Sequence, residues 1–293
     1  MDRTQIVSLW RKAQSGSYAL GSFSPRNTFL IDAIVSAAEN VHSPVMVQIS
    51  SNEMRWFDIK PGEFAEAFFK RASACSVPVV LHLDHTYDFD TVKAAIDAGF
   101  ESVMIDGSKL PFDENAALTR EVCEYAHARG RAVEGELGNI GGADKLETGG
   151  DERLYTVPEQ AREFVRITGV DALAVSVGTA HGVYPTADPK IDFDRLNSIR
   201  SIIPQTPLVL HGGSGLPQQT VRRAIKLCGA GGIAKLNIAT DLELIFQRVL
   251  GIGRIPNSEI QKLDPALLEA AKAEVRSFVE GRMREYLMSA GKA

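Results

Sequence analysis

The run VPVVLHLD (residues 77–84), with His85 directly after it, is a short β-branched segment that finishes in an acid and an imidazole. The same arrangement, an apolar run that ends in polar residues, recurs on both sides of it. The other runs are YALGSFS (18–24), PVMVQIS (44–50), SVMIDGS (102–108), AVEGELG (132–138), ALAVSVG (172–178), LVLHGG (208–213) and IAKLNIA (233–239). Between them lie amphipathic segments, among them 28–40, 61–75, 88–98, 113–129, 158–168 and 217–228. Asp113-Glu114 and Pro158 are helix-opening chemistry, and Gly99, Gly130 and Gly169 stand where C-caps should fall. Strands alternating with helices predict a parallel sheet, and eight strands are the number that closes a barrel. The expected fold is α/β: a single (β/α)8 TIM barrel over residues 1–293, with extra C-terminal helices from roughly 241 onward. A doubly wound open sheet fits less well, because no GxGxxG follows the first strand. The amphipathic stretch 264–288 is expected either to cap the barrel floor or to pack on a partner subunit.

Composition narrows the function. A net charge of −5 over 293 residues gives no reason to expect nucleic acid or an anionic membrane as partner. The longest apolar stretches, such as 170–178, are strand-sized and fall far short of the ~20 residues a membrane helix needs. The opening MDRTQIVSLW lacks the charged and apolar regions of a signal peptide. Three cysteines (Cys75, Cys123, Cys228), far apart and without metal spacing, read as core or surface thiols of a chain in a reducing cytoplasm.

The chemistry lies at the strand ends. In order these offer Ser24, Ser50, Asp84 with His85, Asp106, Glu136, Gly178 leading to His181, His211 and Asn237. A β/α barrel delivers all of them to its C-terminal rim, where such folds place their active sites. Three of the six histidines fall there. His85, His181 and His211, from different strands and with an open fourth position, have the composition of a catalytic zinc site. Asp106 and Glu136 read as an alternate metal position or as acids hydrogen-bonding the imidazoles. Glu134 faces the same side as Glu136, and like charges so close favour a cation between them. His82, inside its strand, reads as a satisfied core histidine, and His42 and His127 as helix-end or surface residues. HGGSG (211–215) and NIATD (237–241) follow strands seven and eight, where barrels commonly cradle phosphate with backbone N–H groups. Gly212, Gly213, Ser214, Ala239, Thr240 and Gly182 are the candidate donors.

LHLDH (81–85), VMIDGS (103–108), EGELG (134–138), VGTAHGVY (177–184), VLHGGSG (209–215), KLNIAT (235–240) and the terminal SAGKA occur in strand order. With them the chain resembles the class II fructose- and tagatose-bisphosphate aldolases over essentially its whole length. The resemblance implies an aldehyde-lyase in which His85, His181 and His211 bind Zn²⁺ and Asp84 is the acid/base at the C4 oxygen. It also implies that Asp106 and Glu136 match an alternate metal position. Ser50, Gly182, Gly212 to Ser214, and Asn237, Ile238, Ala239 and Thr240 match the substrate pocket for dihydroxyacetone phosphate. A monovalent cation (Na⁺ or K⁺) and a homodimer or homotetramer belong to the same expectation.

Four departures bear on the substrate. Ser24 stands where the family usually has Asn, and Ala239 where fructose-type members tend to carry Asp, as in tagatose-type ones. Ungapped register puts Asp144 at the position of the proton-shuttling glutamate of loop 139–157, with Glu147 as a substitute. Glu243 occupies a position usually basic, which predicts repulsion of a second phosphate unless Arg248 or Arg254 compensates. A hydrolytic barrel of the amidohydrolase type would want HxH after strand one, which SFSPRN lacks. A non-catalytic relative would be free to lose Asp84 or a zinc histidine, and this chain keeps all four.

Overall fold

All eight apolar runs form strands: β1 (Leu20–Phe23), β2 (Val45–Ser50), β3 (Val79–Asp84), β4 (Ser102–Ile105), β5 (Ala132–Leu137), β6 (Ala172–Val175), β7 (Leu208–Leu210) and β8 (Ile233–Ile238). The structure is a computed structural model and describes residues 1–140, 154–186, 188–227 and 231–293. Each strand pairs in parallel with the next and β1 pairs with β8, so the sheet closes without an edge. Several strands stop before the runs do. Asp106 to Ser108 and His211 to Gly213 leave the ladder and become rim loops. The helices expected between strands are present, and α2 (Ile31–Val41), α4 (Pro61–Ala72), α5 (Phe89–Asp97), α6 (Phe112–His127), α7 (Pro158–Thr168) and α9 (Gln218–Ile225) match the segments read from the sequence. Not among those segments are α1 (Arg3–Ser15), α3 (Ser51–Phe57) and α8 (Phe193–Ile202).

Side chains alternate across a strand, so residues two apart share the barrel interior. Beneath the rim lies a buried polar layer of Ser22, Gln48, His82, Ser102, Glu134 and Lys235. Below that the interior is apolar: Leu20, Met46, Val80, Ala132, Ala172 and Ala234 pack on Ile6, Trp10 and Ala13 of α1. The N-terminal helix therefore closes the floor. It is started by a capping box between Asp2 and Gln5, and the Trp10 indole N–H points at Met46 Sδ at 3.4 Å.

The C-terminal stretch does not close the floor, as one expectation had it. After α10 (Thr240–Leu250) and the short α11 (Asn257–Ile260), α12 (Pro265–Gly281) packs along α2 and α10 on the outer wall. A π turn over Arg282–Tyr286 then sends the Tyr286 hydroxyl to the carbonyls of Gly213 (2.7 Å) and Leu216 (2.9 Å), bracing the loop after β7. Among the described residues no helix is long and apolar enough to cross a membrane.

If α1 is the floor, Trp10→Ala should cost about 3–5 kcal/mol of stability, read as a lower urea midpoint. An unchanged midpoint would make α1 a passenger.

Candidate active site

The three rim histidines meet. His85 Nε2 lies 3.0 Å from His181 Nε2 and 2.6 Å from His211 Nδ1. One ligand nitrogen from each lies within 4.8 Å of the others. A tetrahedral zinc with Zn–N of about 2.0–2.1 Å sets its nitrogens about 3.3 Å apart, so the donor set fits one such ion with small ring movements. Nitrogens this close repel unless a proton or cation lies between them. Burial works against a charged His85, but Asp84, Asp106 and Glu136 outweigh it and push the ring up to about 10. Desolvation and the His85 charge push His181 down to about 4 and His211 well below its ordinary value.

His85 also faces a second donor set. Its Nδ1 is 2.9 Å from Asp106 Oδ2 and 3.8 Å from Glu136 Oε2, and His85, Asp106 and Glu136 form a second group of metal-binding geometry. Burial alone would raise Asp106, yet bonds from His85 and from the Ser108 N–H and hydroxyl hold it below the usual carboxylate range. Glu136 is pushed up to about 8 by burial and by the Asp106 charge. Among the described residues its Oε2, buried beside His85, meets no hydrogen-bond partner.

Asp84 is held at both oxygens. Gln48 Nε2 donates to Oδ2 at 2.8 Å and Asn237 Nδ2 to Oδ1 at 2.9 Å. Gln48 is itself fixed by the Ser22 hydroxyl. Gln48, Asp84, His85, Asp106, His181 and Asn237 line a cavity of about 950 Å³ at the C-terminal mouth of the barrel.

The family model "Fructose-bisphosphate aldolase class-II" matches residues 4–292. The chain belongs to the class-II fructose-bisphosphate aldolase family. This aldolase is 37% identical to a fructose-bisphosphate aldolase of Geobacillus stearothermophilus over 301 residues, covering 100% of this chain and 99% of that one. The YdjI aldolase from Escherichia coli K12 shares 29% identity and a TM-score of 0.82, with 98% of each chain covered. The fructose-bisphosphate aldolase of Campylobacter jejuni, at 22% identity and a TM-score of 0.79 over 100% of this chain and 96% of that one, matches in fold. The resemblance carried by LHLDH, EGELG and VLHGGSG is borne out, and the protein is an aldehyde-lyase.

Several readings of the aldolase site need correction. Glu134 does not share a cation with Glu136. Its Oε2 accepts from Lys235 Nζ at 2.7 Å and its Oε1 faces His211 Nε2 at 2.8 Å, so the compensating cation is a lysine. Of the N–H groups offered for phosphate, that of Gly213 goes to the Asn237 carbonyl (2.9 Å) and that of Ala239 to the Ser214 hydroxyl (3.3 Å). Ile238 packs in the core, and its carbonyl accepts from the Ser24 N–H (3.1 Å). Gly182, Gly212, Ser214, Asn237, Ala239 and Thr240 do line the cavity, where the Ser214 hydroxyl also accepts from the Asp241 N–H (3.2 Å) at the start of α10. Gly212 has φ +69, and a Cβ there would meet the Ala180 carbonyl at 2.2 Å. That close approach is locked by Tyr184, whose hydroxyl donates to the Gly212 carbonyl (2.8 Å) and accepts from Ala180 N–H (3.0 Å). Ser50 also lines the cavity, while its hydroxyl caps α3 in a capping box with Glu53. Asp144 and Glu147 lie outside the described residues.

The sequence reading missed Gln48, Glu53, Arg26 and Lys235. The signals existed: Ser50-x-x-Glu53 is a capping-box spacing, and Gln48 and Lys235 precede rim residues by two. At the far wall Arg26 Nε donates to Glu53 at 2.8 Å and its guanidinium also reaches Glu243. Arg254 holds both Glu243 oxygens while lying 4.5 Å over the Trp56 ring, and Gln247 donates to Glu243 at 2.9 Å. His82 is the satisfied core histidine expected, bonded to Ser102 (3.0 Å) and Lys235 (3.1 Å). His42 ends α2, and His127 ends α6 facing Asp171.

Replacing His85, His181 or His211 singly with Ala should weaken zinc binding by more than the ~10–100-fold typical of partners behind the ligands. Chelator-competition titration checks this, and native-like affinity in any of the three would remove that ring from the set.

Proposed function

We propose that this aldolase reversibly splits a ketose 1-phosphate into dihydroxyacetone phosphate and an aldehyde whose far end carries hydroxyls and no phosphate. The observation that carries the choice is Glu243, buried at the far wall and engaged by Arg26 and Arg254. With Glu53 the four charges cancel, so a phosphate dianion arriving there would face a carboxylate whose counter-charges are already taken. Hydroxyls, which both donate and accept, suit such a wall. The Geobacillus relative carries the name of a bisphosphate enzyme, and a second phosphate on this chain's substrate would need Glu243 displaced. Ala239 supports a tagatose-like rather than fructose-like handling of C4, on the family resemblance.

Zinc bound by His85, His181 and His211 would act as a Lewis acid on the ketone of dihydroxyacetone phosphate. Asp84, clamped by Gln48 and Asn237, would take the C4 hydroxyl proton in cleavage and return it in condensation. Asn237 Oδ1, buried and without a partner among the described residues, is an acceptor for a substrate hydroxyl. Ser214 and Thr240, which line the cavity at the start of α10, receive the 1-phosphate. Asp106 and Glu136 offer an alternate position to the metal through the other nitrogen of His85. Asp144 as proton shuttle, a monovalent cation (Na⁺ or K⁺), one domain over 1–293, a homodimer or homotetramer and a cytoplasmic location complete the proposal; they rest on the sequence reading.

Asp84→Ala should lower kcat by roughly 10²–10⁴-fold with zinc content unchanged; retained turnover would take Asp84 out of the mechanism. Offered dihydroxyacetone phosphate with paired aldehydes, the enzyme should show a kcat/KM at least about tenfold higher for the unphosphorylated member, equivalent to ~1.4 kcal/mol. A preference for glyceraldehyde 3-phosphate over glyceraldehyde would sink the Glu243 argument.

A further inference from the structure

A fully buried lysine lies beneath the rim and has no part in the steps above. Lys235 is 0% exposed. Its Nζ lies 2.7 Å from Glu134 Oε2 and 3.1 Å from His82 Nε2. His82 Nδ1 is in turn 3.0 Å from Ser102 Oγ, and Glu134 Oε1 is 2.8 Å from His211 Nε2. The five residues come from β4, β3, β8, β5 and the end of β7, and form one polar chain across the barrel interior.

Donor chemistry gives this chain a direction. An ammonium only donates, and a carboxylate only accepts. His82 therefore accepts at Nε2 and carries its proton on Nδ1, toward Ser102. Burial and the Lys235 charge hold His82 well below its ordinary value, consistent with a neutral ring. Glu134 accepts from Lys235 on one oxygen and, on the other, from His211 Nε2–H. The His211 proton thus sits on Nε2, which leaves the Nδ1 lone pair facing His85 and His181. The opposite tautomer would set a lone pair against a carboxylate oxygen and aim a proton into the metal position. Asn237 Nδ2, 3.4 Å from His211 Nε2, is a donor committed to Asp84 and offers no alternative acceptor.

We infer that Lys235 is a positioning residue: by anchoring Glu134 as an acceptor it fixes the His211 tautomer that presents Nδ1 to a bound metal. Without the ammonium, Glu134 is a buried charge lacking its counter-ion, a strongly unfavourable state that turns the carboxylate away from His211. The inference rests on the reading that the three histidines hold a metal.

The test is zinc affinity, by competition with a chromophoric chelator, in native protein, Lys235→Met, and two double variants. Lys235→Met should bind zinc about 10–100-fold more weakly. Lys235→Met with Glu134→Gln is neutral and keeps an amide oxygen for His211 Nε2–H, so affinity should return to near the native value. Lys235→Met with Glu134→Leu is equally neutral but has no acceptor, so the loss should persist. The two doubles carry the comparison alone if the single variant fails to fold. Equal affinity in the two doubles, or native affinity in Lys235→Met, would reduce Lys235 to a packing role. No zinc binding by the native chain would overturn the three-histidine reading, and this inference with it.

Discussion

Three imidazoles and three carboxylates crowd the mouth of a closed barrel, all but His181 buried, and each charge must be balanced by a neighbour. That constraint organises the rest of the molecule. His85 sits at its centre, one nitrogen toward His181 and His211 and the other toward Asp106 and Glu136. The surrounding acids favour its charged form, and that charge in turn suppresses protonation of the other two rings. The arrangement is poised for a single cation to replace a single proton.

The layer below the rim extends the same logic. A TIM barrel of ordinary composition fills its interior with branched apolar side chains. Here that pattern holds at the floor, where α1 seals the end, and gives way to hydrogen-bonded polar residues under the site. Buried polar groups are tolerable when each finds a partner. Gln48 steadies Asp84, and the Ser102–His82–Lys235–Glu134 chain ends on His211. At the far wall the Arg26, Glu53, Glu243 and Arg254 cluster achieves neutrality in another way, by pairing opposite charges.

Much of this was legible beforehand. Eight strands and six intervening helices, the rim residues from Ser50 to Asn237, and family membership all came from local pattern. Strand-end position is read along the chain, and His85, His181 and His211 needed only the barrel's common direction to be gathered. Where the reading went astray, the missing element was a partner. Glu134 read as a like charge facing Glu136 because nothing near it in sequence announces Lys235. Glu243 read with Arg248 or Arg254 as its compensating charge; Arg254 does hold it, and Arg26, which follows β1 rather than β8, went unseen as the second partner. The donors expected of Gly213 and Ala239 were spent across the two loops, on the Asn237 carbonyl and the Ser214 hydroxyl, 24 and 25 positions away.

By itself, then, the order of residues determined the strand period, the barrel and the rim chemistry, since each depends on spacing within a short run. Only the tertiary structure decided which buried polar group answers which: Lys235 with Glu134 across 101 positions, Glu134 with His211 across 77. Pairings of that span are settled by strand register and barrel closure, and no local pattern of hydrophobicity encodes them.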